Sequence, residues 1–558
     1  MDIALAWQDG ELLLAVPAGP ADDARPVAPE RYPDLGAARD RLLELERAGP
    51  RWVWGDTRQV APHLLAAGVR LRRCTDLRLS RDVLRRSSRC RWPSGPADDE
   101  VWDGLQAPPD EGVPSLLDLP QLVTGPTLAQ VLAEHARQQR VLATAEHAGR
   151  LRLLLAAESA GALVAAELKH DGMPWSRQVH DAQLRSLLGE PAAFGGRPSR
   201  LEELCAEIRG LLRAPRLNPD SQPELLQALR TAGLGVQSTR QWELEQLQHP
   251  VVAPLLEYKK LSRLATAHGW HWLETWVRDA RFHPDYVVAG VVTGRWATNG
   301  GGALQLPRQI RSAVVADPGH RLVVADAAQL EPRILAAMSG DEQMARAGSG
   351  ADLYAGLVAD GVVATRPQAK VAMLGALYGA TSGEAGQLMP RLLRTYPLAT
   401  GLVEEAARTG ERGGQVTTWL GRTSPPPSSA AAWTALGGEV SGADLPESER
   451  RDARRSSRDW GRFTRNFVVQ GSAAEWALCW LAGLRTLLAG LADGQGRAPR
   501  LAYFLHDEVM VHTPEELAEQ VVAAVHRAAA QATALMFGGT PVEFPLSVAV
   551  VQDYGQAK

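Results

Sequence analysis

The sequence predicts an α/β protein of more than one domain, and three observations predict it. The chain has 558 residues, which is longer than one hydrophobic core usually organises. Residues 1–90 alternate strand-like and helix-like segments, whereas the pattern from about 120 to 280 is mostly helical. Strand-like runs then return at 287–292 and 321–325. We therefore expect a small N-terminal α/β unit, followed by a larger helical region that contains a further sheet.

The N-terminal unit is predicted from its turns and apolar runs. Segments 3–7 and 11–16 flank Gln8-Asp9-Gly10, which is a hairpin signature. A helical pattern covers 35–48, and the apolar run 51–55 indicates another strand. The sequence therefore predicts a sheet with helices packed on it.

Two irregular segments interrupt the predicted elements. Proline and glycine accumulate among acidic residues in 91–115, which we interpret as a linker or loop. A second interruption covers 424–458; it starts with three consecutive prolines and ends in an arginine-rich stretch.

Composition excludes several classes of protein. Hydrophobic residues make up 45% and charged residues 22% of the chain, which excludes a mainly disordered or fibrous protein. Four widely spaced cysteines exclude a disulfide scaffold, so we expect buried free thiols. The apolar run 153–168 contains two glutamates and is too short to span a bilayer. Without a visible secretory signal, we expect a cytoplasmic protein.

Asp326 is the first candidate functional residue. An apolar strand, 321–325, ends directly before it, and a helix follows with Pro332 in its first turn. A carboxylate between a strand end and a helix start is well placed to hold a divalent cation. The alternative is that Asp326 simply caps the helix.

A second candidate site is His506-Asp507-Glu508, between the strand-like runs 501–505 and 509–512. Adjacent acids at a bend repel each other and resist burial unless a cation neutralises them. The alternative is an ordinary solvated turn.

The third candidate site is a helical stripe. Arg366, Lys370, Leu374 and Tyr378 are four residues apart, so they share one helical face that Thr365 is suited to cap. The cations would meet phosphates and the aromatic end would meet a base. The alternative is a basic, solvent-facing turn followed by a core-facing end. Lys370 stands out because the chain has five lysines and 55 arginines.

Together these three segments resemble motifs A, B and C of the family A DNA polymerases, at 326–333, 366–379 and 506–508. The resemblance covers about 145–558. Further segments that agree are 218–229, 257–261, 293–295, 304–307, 417–422 and 462–475. It implies a right-hand polymerase, with an antiparallel palm sheet and mostly helical fingers and thumb, behind an RNase H-like exonuclease-type N-terminal domain.

The resemblance also implies domain boundaries. The exonuclease-like domain would cover 1–120 and the polymerase domain 121–558. Within the latter, the thumb would cover about 145–285 and the fingers about 351–459. The palm would comprise about 286–350 and 460–558.

By the same resemblance, the reaction is template-directed DNA synthesis by two-metal phosphoryl transfer, in replication or repair. Asp326 and Asp507 would bind two Mg²⁺ ions, which Mn²⁺ can replace, with the main-chain carbonyl of Ala327 as a further ligand. Glu508 is an outer candidate. Lys370 would donate a proton to the leaving pyrophosphate.

The resemblance further implies the binding partners, which are primer–template DNA and deoxynucleoside triphosphates, with the enzyme a monomer. The residues that would bind the nucleotide are Arg366, Lys370, Leu374, Tyr378, Glu331 and Gln329. Those that would contact DNA are Arg295, Gln305, Arg462, Asn466, Gln470 and His506.

Glu331 matches the position of the family's steric gate, which excludes a ribose 2′-hydroxyl, and Tyr378 would hold its carboxylate. The alternative is an acid favoured by the helix dipole. Leu374 and Tyr354 depart from the family, which usually has an aromatic residue and often a histidine at these two positions. Ala327-Ala328 likewise replaces the common Tyr-Ser pair.

The N-terminal domain lacks the carboxylates of a 3′–5′ exonuclease. Segment 55–69 resembles the second exonuclease segment, but Val60 occupies the position of its metal-binding aspartate, and the strand 3–7 has no carboxylate. We therefore expect a structural remnant. Two rival hypotheses are a bifunctional enzyme with relocated exonuclease ligands and a non-catalytic DNA-binding scaffold. The scaffold is disfavoured by four intact residues, Asp326, Asp507, Arg366 and Lys370.

Overall fold

The structure is a computed structural model, and it describes residues 1–17, 28–93, 99–106, 125–192, 195–379, 383–427 and 447–557. Its strands are β1 (Asp2–Gln8), β2 (Glu11–Ala15), β3 (Glu30–Tyr32), β4 (Arg51–Trp54), β5 (Cys74–Asp76), β6 (Met173–Pro174), β7 (Val277–Arg278), β8 (Arg281–Phe282), β9 (Tyr286–Val287), β10 (Ala297–Thr298), β11 (His320–Ala327), β12 (Arg500–Leu505), β13 (Glu508–Pro514) and β14 (Leu546–Val551).

The helices follow the predicted distribution, with most of them between 120 and 280 and in the regions around motifs A, B and C. They are α1 (Leu35–Arg47), α2 (Thr57–Ala66), α3 (Leu77–Arg86), α4 (Asp99–Gln106), α5 (Leu128–Ala143), α6 (Ala148–Asp171), α7 (Arg177–Leu188), α8 (Ser199–Leu211), α9 (Gln222–Thr231), α10 (Gln241–Leu244), α11 (Val252–His268), α12 (Trp270–Trp276), α13 (Leu330–Ser339), α14 (Glu342–Ala347), α15 (Leu353–Ala359), α16 (Arg366–Tyr378), α17 (Gly383–Thr395), α18 (Pro397–Glu411), α19 (Glu447–Leu488) and α20 (Ala518–Phe537).

The described chain divides into two compact units. The first comprises Met1–His170, Tyr286–Ala297 and Val323–Ala549. The second comprises Asp171–Asp285, Thr298–Leu322 and Val550–Lys558. In the second unit, helices surround an aromatic core in which the Trp272 ring lies 5.0 Å from those of both Trp175 and Phe282.

The N-terminal sheet has the strand order β3-β2-β1-β4-β5. The predicted hairpin is confirmed, because β1 and β2 pair antiparallel and Gln8 faces Glu11. Asp9 and Gly10 both have positive φ, 53° and 85°, as the tight two-residue turn requires. Strands β4 and β5 continue the sheet in parallel to β1. Val60 of α2 packs into the apolar core on this sheet.

A second sheet has the strand order β12-β13-β11-β14. Strand β11 includes the predicted strand 321–325, and β12 and β13 form an antiparallel hairpin. Helix α19 packs against α18, α20 and α16. Its segment Arg455–Leu488 is apolar enough to cross a membrane by length and composition, but 83% of the apolar window is buried inside the protein, as in a core helix.

Three predictions of irregular or strand structure are wrong in part. Helix α4 lies within the predicted linker 91–115, because Trp102 and Leu105 supply a buried face that the flanking prolines obscured. Helix α19 begins at Glu447, inside the predicted interruption 424–458; residues 94–98, 107–124 and 428–446 lie outside the described chain. Strand β9 stops at Val287, because a turn follows in which Val291 N donates to Arg295 O at 3.0 Å.

The expected free thiols are confirmed. Cys74, Cys205 and Cys479 are buried and Cys90 is half-buried, with none of the four in a disulfide. Burial raises the pKa of the Cys479 thiol to about 12, so this group is an apolar core residue and not a nucleophile.

Candidate active site

The second sheet brings Asp326 and Asp507 to the same place. Asp326 lies at the end of β11, and Asp507 lies in the turn between β12 and β13. Because β11 and β13 are neighbours in the sheet, this turn meets the end of β11 directly. Ala327 N donates a hydrogen bond of 2.8 Å to Asp507 O. The candidate carboxylates of motifs A and C are therefore neighbours at one end of one sheet.

The turn that carries Asp507 is tight and partly buried. His506 has φ of 53°, and Asp507 N donates to Leu505 O at 2.6 Å. A left-handed conformation at a residue other than glycine costs on the order of 1–3 kcal/mol, and residues strained in this way cluster at functional sites. Glu508 is 2% exposed, so the alternative of an ordinary solvated turn is wrong.

The His506 ring is neutral at physiological pH. Burial, with a contribution from the positive charge of Arg295, lowers the pKa of His506 to about 4. Its Nδ1 is buried and has no hydrogen-bond partner among the residues that the structure describes. A buried polar atom in a cleft wall is available to a ligand atom that enters the cleft.

Asp326 does not cap the helix that follows it. Helix α13 begins after Gln329, which adopts φ of 57° at the N-cap position and forms no side-chain capping bond. The capping alternative for Asp326 is therefore wrong. Pro332 lies in the first turn of α13, as predicted.

Glu331 is held from two sides. Its Oε1 accepts a hydrogen bond from Arg295, and its Oε2 accepts one of 3.1 Å from the Tyr378 hydroxyl. The Tyr378 contact joins the first turn of α13 to the last residue of α16. A neighbouring carboxylate and burial both raise the pKa of the Tyr378 phenol, with burial the larger cause, so the phenol remains a donor.

A cleft with a volume of about 170 Å³ lies beside Asp507 and Glu331. The residues that line it are Arg295, Gln329, Leu330, Glu331, Pro332, Ala473, Ala474, His506 and Asp507. Four of the predicted site residues besides Asp507 are among them, from three separate stretches of sequence. The lining thus combines a carboxylate end, an arginine and a neutral imidazole.

The predicted stripe lies on the exposed face of α16. Thr365 caps it, accepting from Gln368 N at 3.4 Å. Arg366 and Lys370 are exposed, and Leu374 and Tyr378 are 37% and 42% exposed, while the opposite face is buried. The alternative of a core-facing end is therefore wrong, because both apolar members remain accessible.

Sequence reasoning missed Asp352, which pairs with Arg366. The Arg366 Nε donates to Asp352 Oδ2 at 2.6 Å. Asp352 also caps α15, and its Oδ1 accepts from the Gln329 amide at 2.7 Å. Although burial raises the pKa of Asp352, these hydrogen bonds lower it below its ordinary value. An aspartate directly before a helix was the available sequence signal.

Arg333 anchors this network from the core. It is 0% exposed and donates to the main-chain oxygens of Gly348, Gly350 and Ala351 at 2.8, 3.0 and 2.9 Å. It also donates to Gln329 Oε1 at 3.3 Å. The Gln329 side chain therefore joins Arg333 to Asp352.

Besides Arg295 and His506 in the cleft lining, the predicted DNA contacts lie on two elements. Arg462, Asn466 and Gln470 are four residues apart on α19, so they share one face, which continues towards Ala473 and Ala474 in the cleft. Arg462 pairs with Asp459. Gln305 is exposed at the end of a short 3-10 helix, Ala303–Gln305, in the second unit.

Comparison with known proteins identifies the family. A sequence model of DNA polymerase family A matches residues 198–555. The chain belongs to this family. The matched region contains every polymerase site residue predicted above, while residues 1–197 lie outside it.

Curated relatives are bacterial DNA polymerases. The DNA polymerase I of Chloroflexus aurantiacus is 28% identical over 347 residues, which are 56% of this chain and 34% of that protein. The thermostable DNA polymerase I of Thermus filiformis is 27% identical over 410 residues, or 68% of this chain and 44% of that one. The family A chain thus spans less than half the length of these relatives.

A solved structure shares the fold along the whole chain. The POL domain of Pol1 from M. smegmatis, in complex with DNA primer-template and dNTP, superposes with a TM-score of 0.66 at 19% identity. The match covers 100% of this chain and 95% of that one. The mixed α/β and helical architecture is therefore the fold of that polymerase domain.

Proposed function

We propose that the chain is a template-directed DNA polymerase that adds deoxynucleoside triphosphates to a primer 3′-hydroxyl. The hydrogen bond from Ala327 N to Asp507 O carries this proposal, because it joins the two motifs that supply the acidic residues. Family membership supports it independently. Primer–template DNA and deoxynucleoside triphosphates are the proposed partners.

The acidic end of the sheet is the proposed site for divalent metal ions. The carboxylates of Asp326 and Asp507 and the main-chain carbonyl of Ala327 are the hard oxygen donors that Mg²⁺ prefers, and Mn²⁺ accepts the same donors. Glu508, which is 2% exposed, would act behind them. When bound, two such ions lower the pKa of the primer hydroxyl and neutralise phosphate charge.

The exposed stripe of α16 would hold the triphosphate. Arg366 and Lys370 neutralise phosphate oxygens from successive turns of the helix. Lys370 can also give a proton to the leaving pyrophosphate, which an arginine does poorly. Leu374 and Tyr378 then form the wall beside the sugar and base, and Gln329 acts on the site by holding Asp352 beside Arg366.

Glu331, Arg295 and neighbouring residues would select the sugar and contact the DNA. Glu331, held by Arg295 and Tyr378, would stand where a ribose 2′-hydroxyl needs space. Arg295, His506 and Gln470 would contact the primer end and minor-groove acceptors, which are similar in all base pairs and suit a sequence-independent enzyme. Arg462, Asn466 and Gln305 would contact the DNA strands.

The N-terminal region is proposed to be an RNase H-like domain without exonuclease activity. Its sheet order, with β1 parallel to β4 and antiparallel to β2, supports this fold. We propose the boundaries 1–120 for this domain and 121–558 for a right-hand polymerase, with thumb about 145–285, fingers about 351–459 and palm about 286–350 and 460–558. The enzyme would act as a cytoplasmic monomer in replication or repair.

Primer extension tests the proposal. The protein should extend a matched primer in the presence of Mg²⁺ and all four nucleotides. Asp326→Asn and Asp507→Asn should each lower kcat/KM at least about a thousandfold, because they remove the charge that neutralises the metals. Primer–template affinity should change little. The control is Asp40→Asn on α1, where the side chain is 95% exposed. Near-normal extension by Asp326→Asn or Asp507→Asn would contradict their assignment as metal ligands.

A further inference from the structure

A short loop, residues 417–423, supports the cleft from behind; we call it the brace loop. It crosses α19 and is hydrogen-bonded to it at two positions. Trp419 N donates to Ser472 Oγ at 2.8 Å, and Leu420 N donates to Glu475 Oε2 at 2.9 Å. The Thr418 hydroxyl donates to the other oxygen of Glu475.

These bonds enclose the part of α19 that faces the cleft. Ala473 and Ala474 line the cleft, and they lie between the two residues, Ser472 and Glu475, that hold the brace loop. Glu475 is 1% exposed, so its bonds to the loop are shielded from water. A displacement of the loop must therefore shift this wall of the cleft.

The brace loop also supports the wall that carries Arg295. Arg422, at 7% exposure, pairs with Glu158 of α6. A Cβ atom on Gly294 would lie 2.8 Å from Arg422 Nε, so the guanidinium packs directly on the Gly294 backbone, which has φ of +87°. The next residue is Arg295, whose guanidinium holds Glu331.

The N-terminal α/β region holds the outer side of the same loop. Directly after α3, Ser88 N donates to Thr423 Oγ1 at 3.0 Å, and Arg89 Nη2 donates to Thr417 Oγ1 at 3.0 Å. Gly421 adopts φ of +109° and approaches Arg89 so closely that a Cβ atom would lie 3.1 Å from its Cδ. Both ends and the tip of the loop thus meet two consecutive N-terminal residues.

We propose that Arg89 is a positioning residue for the polymerase cleft, through which the N-terminal region sets the geometry of the active site without touching the substrate. This inference rests on the proposed function, because its kinetic consequence requires polymerase activity. This role would explain why the N-terminal region persists without exonuclease ligands. Its contacts hold the brace loop in place, and the brace loop in turn supports two walls of the cleft.

The first experiment compares three variants. Arg89→Ala should lower kcat for nucleotide incorporation about tenfold, because small displacements of a reacting geometry reduce rate strongly. The KM for primer–template should stay within about twofold, because no DNA contact is removed. Arg89→Lys keeps a donor within reach of Thr417 and should recover most of the rate. The matched control is Arg91→Ala, an exposed arginine two residues further along, which should behave as wild type.

Hydrogen exchange supplies a readout that does not depend on catalysis. The amides of Trp419 and Leu420 are bonded to α19, and they should exchange faster in Arg89→Ala than in wild type or Arg91→Ala. If wild-type protein fails to extend a primer, the proposed function fails, while this exchange measurement still tests the brace.

A double-mutant cycle separates the contact from general destabilisation. Thr417→Val removes the acceptor at nearly constant shape, so Arg89→Ala combined with Thr417→Val should cost no more in kcat than the larger single effect. Fully additive losses, or wild-type kcat and exchange in Arg89→Ala, would overturn the proposal.

Discussion

The two sheets of the first unit both place aspartates at strand ends next to helices. In one sheet these aspartates cap the following helices, and in the other Asp326 does not. In the N-terminal sheet, Asp56 follows β4 and caps α2, and Asp76 ends β5 and caps α3. In the second sheet, Asp326 lies within the end of β11, three residues before the N-cap of α13. The local pattern of strand, carboxylate and helix is the same in both.

The difference lies in whether the carboxylate caps a helix. Asp56 accepts from Arg58 N and from the Arg58 guanidinium, at 2.9 and 2.6 Å, and is 1% exposed. Asp76 accepts from Thr57 N and Leu79 N at 2.8 and 2.9 Å and is 0% exposed. Asp507 lines the open cleft, and Asp326 lies at the end of β11 without capping the helix that follows. The carboxylates proposed as metal ligands are thus the ones that do not cap a helix.

The largest expected effect concerns Lys370, on the exposed face of α16. Lys370→Ala should lower kcat about a hundredfold, because it would remove both the phosphate contact and the general acid proposed above. Lys370→Arg should restore the KM for the nucleotide but little of kcat, since arginine donates its proton poorly. Single-turnover incorporation measures both constants. Lys169→Ala, on an exposed turn at the end of α6, is the control. A wild-type kcat in the arginine variant would contradict the proton-donor role.

The second expected effect concerns the sugar. In the proposed role, Glu331→Ala would open space beside the sugar. Ribonucleotide use should then rise at least about tenfold relative to deoxyribonucleotide use, a change of about 1.4 kcal/mol in discrimination. The measured quantity is the ratio of the two kcat/KM values. Glu342→Ala, an acid in the first turn of α14, should leave the ratio unchanged. If Glu331 is only a helix N-terminal acid, both rates change together and the ratio holds.

The smallest expected effect concerns Asp56 and Asp76, the two capping aspartates of the N-terminal sheet. Asp56→Ala and Asp76→Ala should each destabilise the protein by about 1–2 kcal/mol through loss of a helix cap. Neither change should alter the length of a labelled primer incubated with Mg²⁺ or Mn²⁺ and no nucleotides. Chemical denaturation measures the first outcome and gel electrophoresis the second, with Asp40→Ala as the stable control. Metal-dependent shortening that either substitution abolishes would restore the bifunctional hypothesis.

Local patterns predicted the elements that carry the site. The apolar run before Asp326 became β11, the four-residue spacing of Arg366, Lys370 and Tyr378 became one exposed face of α16, and the Asp-Gly turn closed the first hairpin. Each depends on periodicity or turn chemistry within a few residues, which sequence reveals directly.

Local sequence patterns could not predict contacts between residues that are far apart in the chain. The pairing of Asp352 with Arg366, the buried position of Arg333 and the contact between Arg89 and Thr417 depend on distances across 14 to 328 residues of chain. The helical start of α19 was missed for a related reason, since its arginine-rich residues are helical by continuity with the buried segment that follows.

One assay tests the central claim most directly: a labelled matched primer–template, incubated with the protein and Mg²⁺, with and without the four nucleotides. The account predicts extension with nucleotides, abolished by Asp326→Asn and Asp507→Asn and unaffected by Asp56→Ala and Asp76→Ala, and an unchanged primer without nucleotides. Extension that survives the cleft substitutions, or shortening that depends on the N-terminal aspartates, would contradict it.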